Sequence, residues 1–205
     1  MITAFNAASP GNANLFQRFH PSRRLGVSSL KAMRMIAGEL KGRRLKTPKW
    51  DGLRPTSDKL RETLFNVVAS RVAGARVLDH YAGTGAIGIE ALSRGASHVT
   101  FVDRDPRALK LIDENLGHCG VRDRYVIIRT PQSLPAGSID LAVLDPPYDE
   151  PDLTASIAAA EPLIAPGGLL VLEHARRRAA PERVGRLRMS RRLVSGDSAL
   201  AFYEG

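Results

Sequence analysis

The chain has 205 residues, 43% hydrophobic and 25% charged, which suits one globular domain with a sizeable core and excludes a disordered or fibrous chain. No apolar run approaches the roughly 20 residues of a membrane span, and the lone Cys119 excludes an internal disulfide, so a reducing, cytoplasmic setting is expected. Thirty Lys and Arg stand against 21 Asp and Glu, a formal +9, and the excess is uneven. Between Lys31 and Arg71 there are 11 basic and 4 acidic residues, and a second basic stretch runs from Arg176 to Arg192. Basic flanks around a balanced middle suggest a polyanion held over a site.

In chain order, residues 1–33 carry no acid and show no sustained periodicity. A disordered tail, an organelle-targeting segment and an extension ahead of a start at Met33 or Met35 all fit, the last slightly better. Residues 34–55 form the next unit. Met35 to Leu45, broken by glycines, predicts a small β-hairpin, and Pro48 to Pro55 a loop. From 56 to 205 the pattern is that of one catalytic domain. A helix is expected from about Thr56, with Leu60, Leu64, Phe65, Val67 and Val68 on its apolar side and Lys59 and Arg61 on other faces. Strands then alternate with helices: strand Arg76–Tyr81, helix Thr84–Arg94, strand His98–Val102, helix Pro106–Leu116, strands Tyr125–Ile128 and Ile139–Leu144, helix Asp152–Leu163, strand Leu169–Glu173. Arg191–Val194 and Ala199–Tyr203 close the chain as a hairpin. This alternation predicts a doubly wound, mostly parallel α/β sheet with its site at the carboxyl ends of the strands.

Gly83-Thr84-Gly85-Ala86-Ile87-Gly88 fits G-x-G-x-x-G between a strand and a helix, with Asp103 ending the next strand. Alone, that is a dinucleotide fingerprint. Asp79, four residues before Gly83, decides against it, because a carboxylate there repels a pyrophosphate. It suits S-adenosylmethionine, which presents an ammonium and a sulfonium and no phosphate. Asp103 can accept from a ribose diol, and Arg104 is a weaker candidate beside it.

Asp145-Pro146-Pro147-Tyr148 follows the strand Ile139–Leu144 at the same edge of the sheet. An exocyclic amine on a base is a poor nucleophile because its lone pair is delocalised into the ring. The Asp145 carboxylate and the Pro146 carbonyl can accept its two hydrogens, orient the nitrogen and stabilise the charge it acquires. Tyr148 would stack on the base, at about 1–3 kcal/mol, and Pro146 and Pro147 would stiffen the loop.

Asp79-x-x-Ala82-Gly83-Thr84-Gly85 with Asp145-Pro146-Pro147-Tyr148 resembles the Class I methyltransferases that act on amino nitrogens. Arg34-Met35-Ile36-Ala37-Gly38, Gly42-Arg43-Arg44-Leu45, Arg54-Pro55-Thr56, Arg61-Glu62-Thr63-Leu64-Phe65-Asn66 and Glu90 to Ala96 further resemble the RsmD-type family of bacterial small-subunit (16S) ribosomal RNA guanine-N2 methyltransferases. So does the closing Gly196-Asp197-Ser198. The resemblance spans about Met33 to Gly205. It implies a seven-stranded Rossmann-like sheet with a small N-terminal hairpin, S-adenosylmethionine as cofactor, and a ribosomal guanine as acceptor, in RNA alone or in an assembling ribosomal particle. Asp145, Pro146, Pro147 and Tyr148 would hold the guanine; Asp79, Ala82, Gly83, Thr84, Gly85, Asp103 and Arg104 would hold the cofactor. Such enzymes often carry an Asp or Asn after the third strand for the adenine amine; here Arg129–Ser133 has none, and Thr130 or Gln132 is the substitute. The segment from Thr130 to Ile139 is too short for a full helix.

RNA contacts are expected from Lys41, Arg43 and Arg44 on the hairpin and from Arg54, Lys59 and Arg61 beyond it. Neither membrane nor metal is expected, since the five histidines are scattered, and a monomer is favoured. Competing functions are a DNA adenine-N6 methyltransferase, which the lack of a separate target-recognition domain disfavours, and a catalytically idle RNA-binding module. A dehydrogenase is a remote fourth.

Overall fold

The computed structural model describes residues 33–48, 50 and 57–205. The expectations for residues 1–32 and for Arg54 lie outside the described residues, as does the helix start at Thr56.

Eight strands form one sheet in the order β3-β2-β1-β4-β5-β8-β7-β6. These are β1 (Arg76–His80), β2 (His98–Val102), β3 (Tyr125–Ile128), β4 (Ile139–Leu144), β5 (Ile164–Ala175), β6 (Arg183–Val184), β7 (Leu187–Ser195) and β8 (Ser198–Glu204). β1 to β5 are parallel, and β8 and β7 continue the sheet antiparallel. Seven strands make up the expected sheet; the eighth, β6, is two residues paired to the end of β7. The chain leaves β1 toward β2 and β3, then returns to place β4 on the other side of β1. The carboxyl ends of β1 and β4 therefore flank a topological switch point, where the loops diverge and leave a crevice.

Each central strand is apolar on both faces, and its alternate residues enter two separate cores. Val77, Leu141, Val143 and Val171 join a cluster with Leu64 and Phe65 of α1 (Asp58–Val67), Ile89 and Leu92 of α2 (Ala86–Ser93) and Ile112 and Leu116 of α3 (Pro106–Cys119). Leu78, Ala142, Leu144 and Leu172 pack on the other face with Ile157 of α4 (Leu153–Ala160). The ends of the helices follow their caps. Ser57 accepts from the Leu60 N–H at the start of α1, and Asp105 caps α3 with Pro106 in its first turn. Asp152 accepts from Thr154 and Ala155 at the start of α4, and the helix gives way to a 3-10 turn at Glu161–Leu163.

The expected N-terminal hairpin is present as a turn with a single bridge, Arg34 to Arg44, rather than as two strands. Its backbone bonds to itself, as from the Met35 N–H to the Arg43 carbonyl and from the Leu45 N–H to the Met33 carbonyl, and also to side chains of α2. Glu90, fully buried, accepts from the Ile36 and Ala37 N–H groups at 2.8 and 3.0 Å. Ser93 accepts from the Leu40 N–H at 2.9 Å. At Gly38 the backbone has φ +78°, and a Cβ would lie 1.8 Å from the Ser93 carbonyl oxygen, so a side chain is excluded twice over.

Arg61 is a correction. Expected on an exposed face of α1, it is fully buried. Its guanidinium donates to the Arg34 carbonyl and to Asp58 at 2.9 Å. Burial lowers its pKa, opposed by the charges of Asp58 and Glu90. Arg61 therefore ties the hairpin to α1 and is withdrawn from any contact with RNA.

Gly88, the third glycine of the loop motif, sits where α2 crosses the sheet. A Cβ there would lie 2.2 Å from the Phe101 ring. Gly88→Ala is expected to cost about 1–3 kcal/mol through overpacking, read by urea denaturation. Phe101→Leu in the same chain should recover part of that loss; additive losses would show that the ring is not the obstacle.

Candidate functional site

The carboxyl edge carries one acid at the end of each of four strands: Asp79 in β1, Asp103 after β2, Asp145 after β4 and Glu173 in β5. All four line one cleft of about 670 Å³. Ala82, Gly83, Thr84 and Arg104 also line it, as do Pro146, Pro147 and Tyr148. The glycine loop and the tetrad, some sixty residues apart in the chain, thus face the same space.

The loop is built around two carboxylates. Asp79 is 1% exposed and accepts from the Gly88 N–H, in α2, at 2.8 Å. Burial pushes its pKa up to about 8, the Gly88 bond opposes that rise, and the charges of Asp145 and Asp103 add to it. Asp103 accepts from the Gly83 N–H and the Asp105 N–H, both at 2.9 Å, so its carboxylate is fixed against the loop. Gly85 does not line the cleft; at φ 77° it makes the left-handed turn into α2, where a side chain would be strained. The Asn115 side chain donates to the Thr84 carbonyl at 2.9 Å, and its oxygen accepts from the Lys46 N–H at 2.8 Å. One buried amide therefore joins the hairpin's exit to the glycine loop.

The tetrad is equally braced. The Asp145 N–H donates to the His80 carbonyl at 3.2 Å, which locks the loop to β1. The Tyr148 hydroxyl is hydrogen-bonded to Ser198 and donates to Glu173 at 3.4 Å, which holds the ring at the cleft wall. Arg178 donates to the Glu150 and Pro151 carbonyls, clamping the loop beyond the tetrad.

Glu173 and Ser198 are the main site residues that sequence reasoning missed. Glu173 is 5% exposed. Burial and the neighbouring Asp145 hold its pKa well above the usual carboxylate range. The available signal was the one that betrayed Asp79, a charge at the end of an otherwise apolar strand. Trp50, with the Arg107 guanidinium 5.2 Å from its ring centroid, forms another part of the cleft wall. In the sequence it is simply one residue of the loop from Pro48 to Pro55.

Thr130 is a second correction. It and Gln132 are exposed and do not line the cleft, because the chain turns at the 3-10 segment Pro131–Ser133. Of the expected RNA contacts within the described residues, Lys41, Arg43, Arg44 and Lys59 are exposed.

Known proteins share this plan. The model of a family described as conserved hypothetical protein 95 matches residues 33–204. A Bacillus subtilis protein named putative rRNA methyltransferase YlbH is 37% identical over 181 residues, covering 84% of this chain and 98% of its own. Ribosomal RNA small subunit methyltransferase D of Escherichia coli K12 is 32% identical over 177 residues, covering 84% and 89%. Among solved structures, a putative methyltransferase from E. coli matches with TM-score 0.73 and 31% identity over 84% of this chain and 97% of that one. A hypothetical protein of Thermus thermophilus matches with TM-score 0.71 and 31% identity, over 85% and 100%.

An aspartate whose pKa is about 8 in the folded chain and 3.8 otherwise keeps a proton that the unfolded chain releases. Its stabilising contribution is complete below pH 4 and is lost as pH rises toward 8. Asp79→Asn preserves the acceptor for Gly88 and removes the titration. The stability of the variant relative to wild type, followed through its melting temperature, should therefore climb between about pH 4 and pH 8, at up to about 1.4 kcal/mol per pH unit. A difference that stays flat across that range would place a low pKa on Asp79.

Proposed function

We propose a guanine 2-amino group of small-subunit ribosomal RNA as the methyl acceptor of this chain, which belongs to the RsmD-type methyltransferase family. The observation that carries the reading is the meeting of Asp145–Tyr148 with the glycine loop in one cleft. The names of the relatives supply the ribosomal RNA.

The cleft's own chemistry fits S-adenosylmethionine. A buried carboxylate at Asp79, raised toward neutrality and close to two more acids, is hostile to a phosphate and favours a ligand bearing an ammonium and a sulfonium. Asp79, Ala82, Gly83, Thr84 and Asp103 would hold it, with Gly85 shaping the turn beneath. When bound, it supplies a methyl group on a cationic sulfur. The rest is done by the chain. Asp145 and the Pro146 carbonyl accept the hydrogens of the amine, which aligns its nitrogen and offsets the positive charge it gains. Tyr148, its hydroxyl already tethered, offers a fixed ring face to a base removed from its stack. Arg43, Arg44 and Lys41, on a hairpin joined to the glycine loop through Asn115, would meet the phosphates.

Small-subunit RNA from cells lacking the protein should lack N2-methylguanosine at one position by nucleoside mass spectrometry, and wild-type protein with S-adenosylmethionine should restore it. Asp145→Ala should abolish the transfer while cofactor binding by calorimetry stays within about tenfold. RNA that is fully modified without the protein would refute the assignment, and equal loss of binding and transfer would reduce Asp145 to a structural part.

Neutralising Arg43 and Arg44 together should weaken RNA binding and lower the slope of log affinity against log salt by about 2, with cofactor affinity unchanged. An unaltered slope would assign both charges to solvent.

A further inference from the structure

Asp145 with the Pro146 carbonyl answers the two hydrogens of any exocyclic amine, so these groups cannot distinguish guanine from adenine or cytosine. The discriminating feature lies beside the amine. On adenine and cytosine the adjacent ring nitrogen of the pairing edge is an acceptor, whereas on guanine it is a donor, N1–H. A site for guanine therefore needs one more acceptor next to Asp145.

The fold supplies one. β4 and β5 run parallel with Leu144 opposite Leu172, so the residues that follow, Asp145 just past the end of β4 and Glu173 still within β5, stand side by side. Both line the cleft, with their carboxyl groups in hydrogen-bonding contact. Tyr148, the stacking candidate, donates its hydroxyl to Glu173. We propose that Glu173 is the second carboxylate of the acceptor site, taking the N1–H of a guanine whose 2-amino group rests on Asp145, and that it selects guanine over adenine and cytosine. The inference rests on the guanine-amine reading above.

Two adjacent carboxyl groups in a water-poor cleft are costly to ionise together, and in the free protein burial and mutual repulsion keep Glu173 toward its protonated form. Guanine presents N1–H beside its 2-amino group, so the carbonyl oxygen of the Glu173 carboxyl can accept from N1–H while the proton shared with Asp145 stays in place. Adenine has a ring acceptor at that place, so pairing with it would draw the one proton of the pair away from the Asp145 contact and leave the two carboxyl groups facing each other without it, an arrangement the cleft cannot hydrate. The competing role for Glu173 is a plain anchor for Tyr148. A glutamine serves that role equally well, because its amide oxygen still accepts from the hydroxyl.

The test uses full-length small-subunit RNA from cells lacking the protein and labelled S-adenosylmethionine. The methylated guanosine is located by nuclease mapping. It is then replaced, by splinted ligation, with 2-aminopurine riboside, which keeps the amine and lacks N1–H and O6, or with 6-thioguanosine, which keeps N1–H and lacks O6. Wild-type protein is expected to prefer guanosine to 2-aminopurine by about a hundredfold in kcat/KM, since a site built around a donor rejects an analogue without it. It should accept 6-thioguanosine within about tenfold of guanosine. Glu173→Gln, able to present either a donor or an acceptor, should reduce the guanosine preference below about tenfold and slow guanosine turnover.

Three results would overturn the inference. Wild-type protein could treat guanosine and 2-aminopurine alike, which needs no variant to fold. 6-Thioguanosine could fail as badly as 2-aminopurine, which moves the discrimination to O6. Or a folded Glu173→Gln could keep the full preference, which leaves the residue as an anchor. Label recovered in adenosine, or in no nucleoside, fails the guanine reading itself before any analogue is used, and the inference with it.

Discussion

Burial of the Asp79 carboxylate beneath the glycine loop is the constraint on which the rest of the site depends. A carboxyl group taken out of water at the end of a central strand needs a hydrogen-bond donor, and it ionises readily only beside a cation. The donor is the Gly88 N–H, and reaching it requires α2 to lie against the sheet so closely that Gly88 has no room for a side chain. The cation is left for a ligand to bring. The first requirement dictates the packing of α2, and the second is the ground on which a cationic cofactor is proposed for the loop.

The hairpin follows from the same helix. α2 presents Glu90 and Ser93 to the backbone of residues 36–40, Glu90 also pairs with Arg94 at 2.8 Å, and Arg61 ties Arg34 to α1. A segment too short to form a sheet of its own is therefore held by buried charge and hydrogen bonds. Such an arrangement is stable when every member is paired and costly when one is lost. The exposed Lys41, Arg43 and Arg44 ride on this frame, so the basic face is fixed relative to the glycine loop through Asn115. In the proposed function, rigidity at that point would let a phosphate contact help register a base over the cleft.

Much of this was legible locally. Apolar runs alternating with amphipathic stretches revealed the strand and helix order, because periodicity is a property of neighbouring residues. Asp79 and Asp145 stood out because a charge that ends an apolar strand in an α/β sheet falls at the carboxyl edge, where ligands bind. Glu173 obeys the same rule and was passed over, since no motif surrounds it. Arg61 misled for the opposite reason: an arginine on an amphipathic helix belongs on the surface unless something buries it, and its partners Arg34 and Asp58 become visible when the hairpin is seen folded over α1. Thr130 failed because the position of a strand-end residue depends on how the next turn leaves the sheet.

The α/β order, the glycine turn, the acid before it and the Asp145–Tyr148 motif at a strand end are all written in residues that are neighbours in the chain. Which distant groups share a surface was a matter for the folded chain. Crossing β1 to place β4 beside it brought the tetrad to the glycine loop, and the parallel register of β4 with β5 set Glu173 beside Asp145. Strand order and register are set by the sum of many weak burials across the sheet, and no single stretch of the chain contains them.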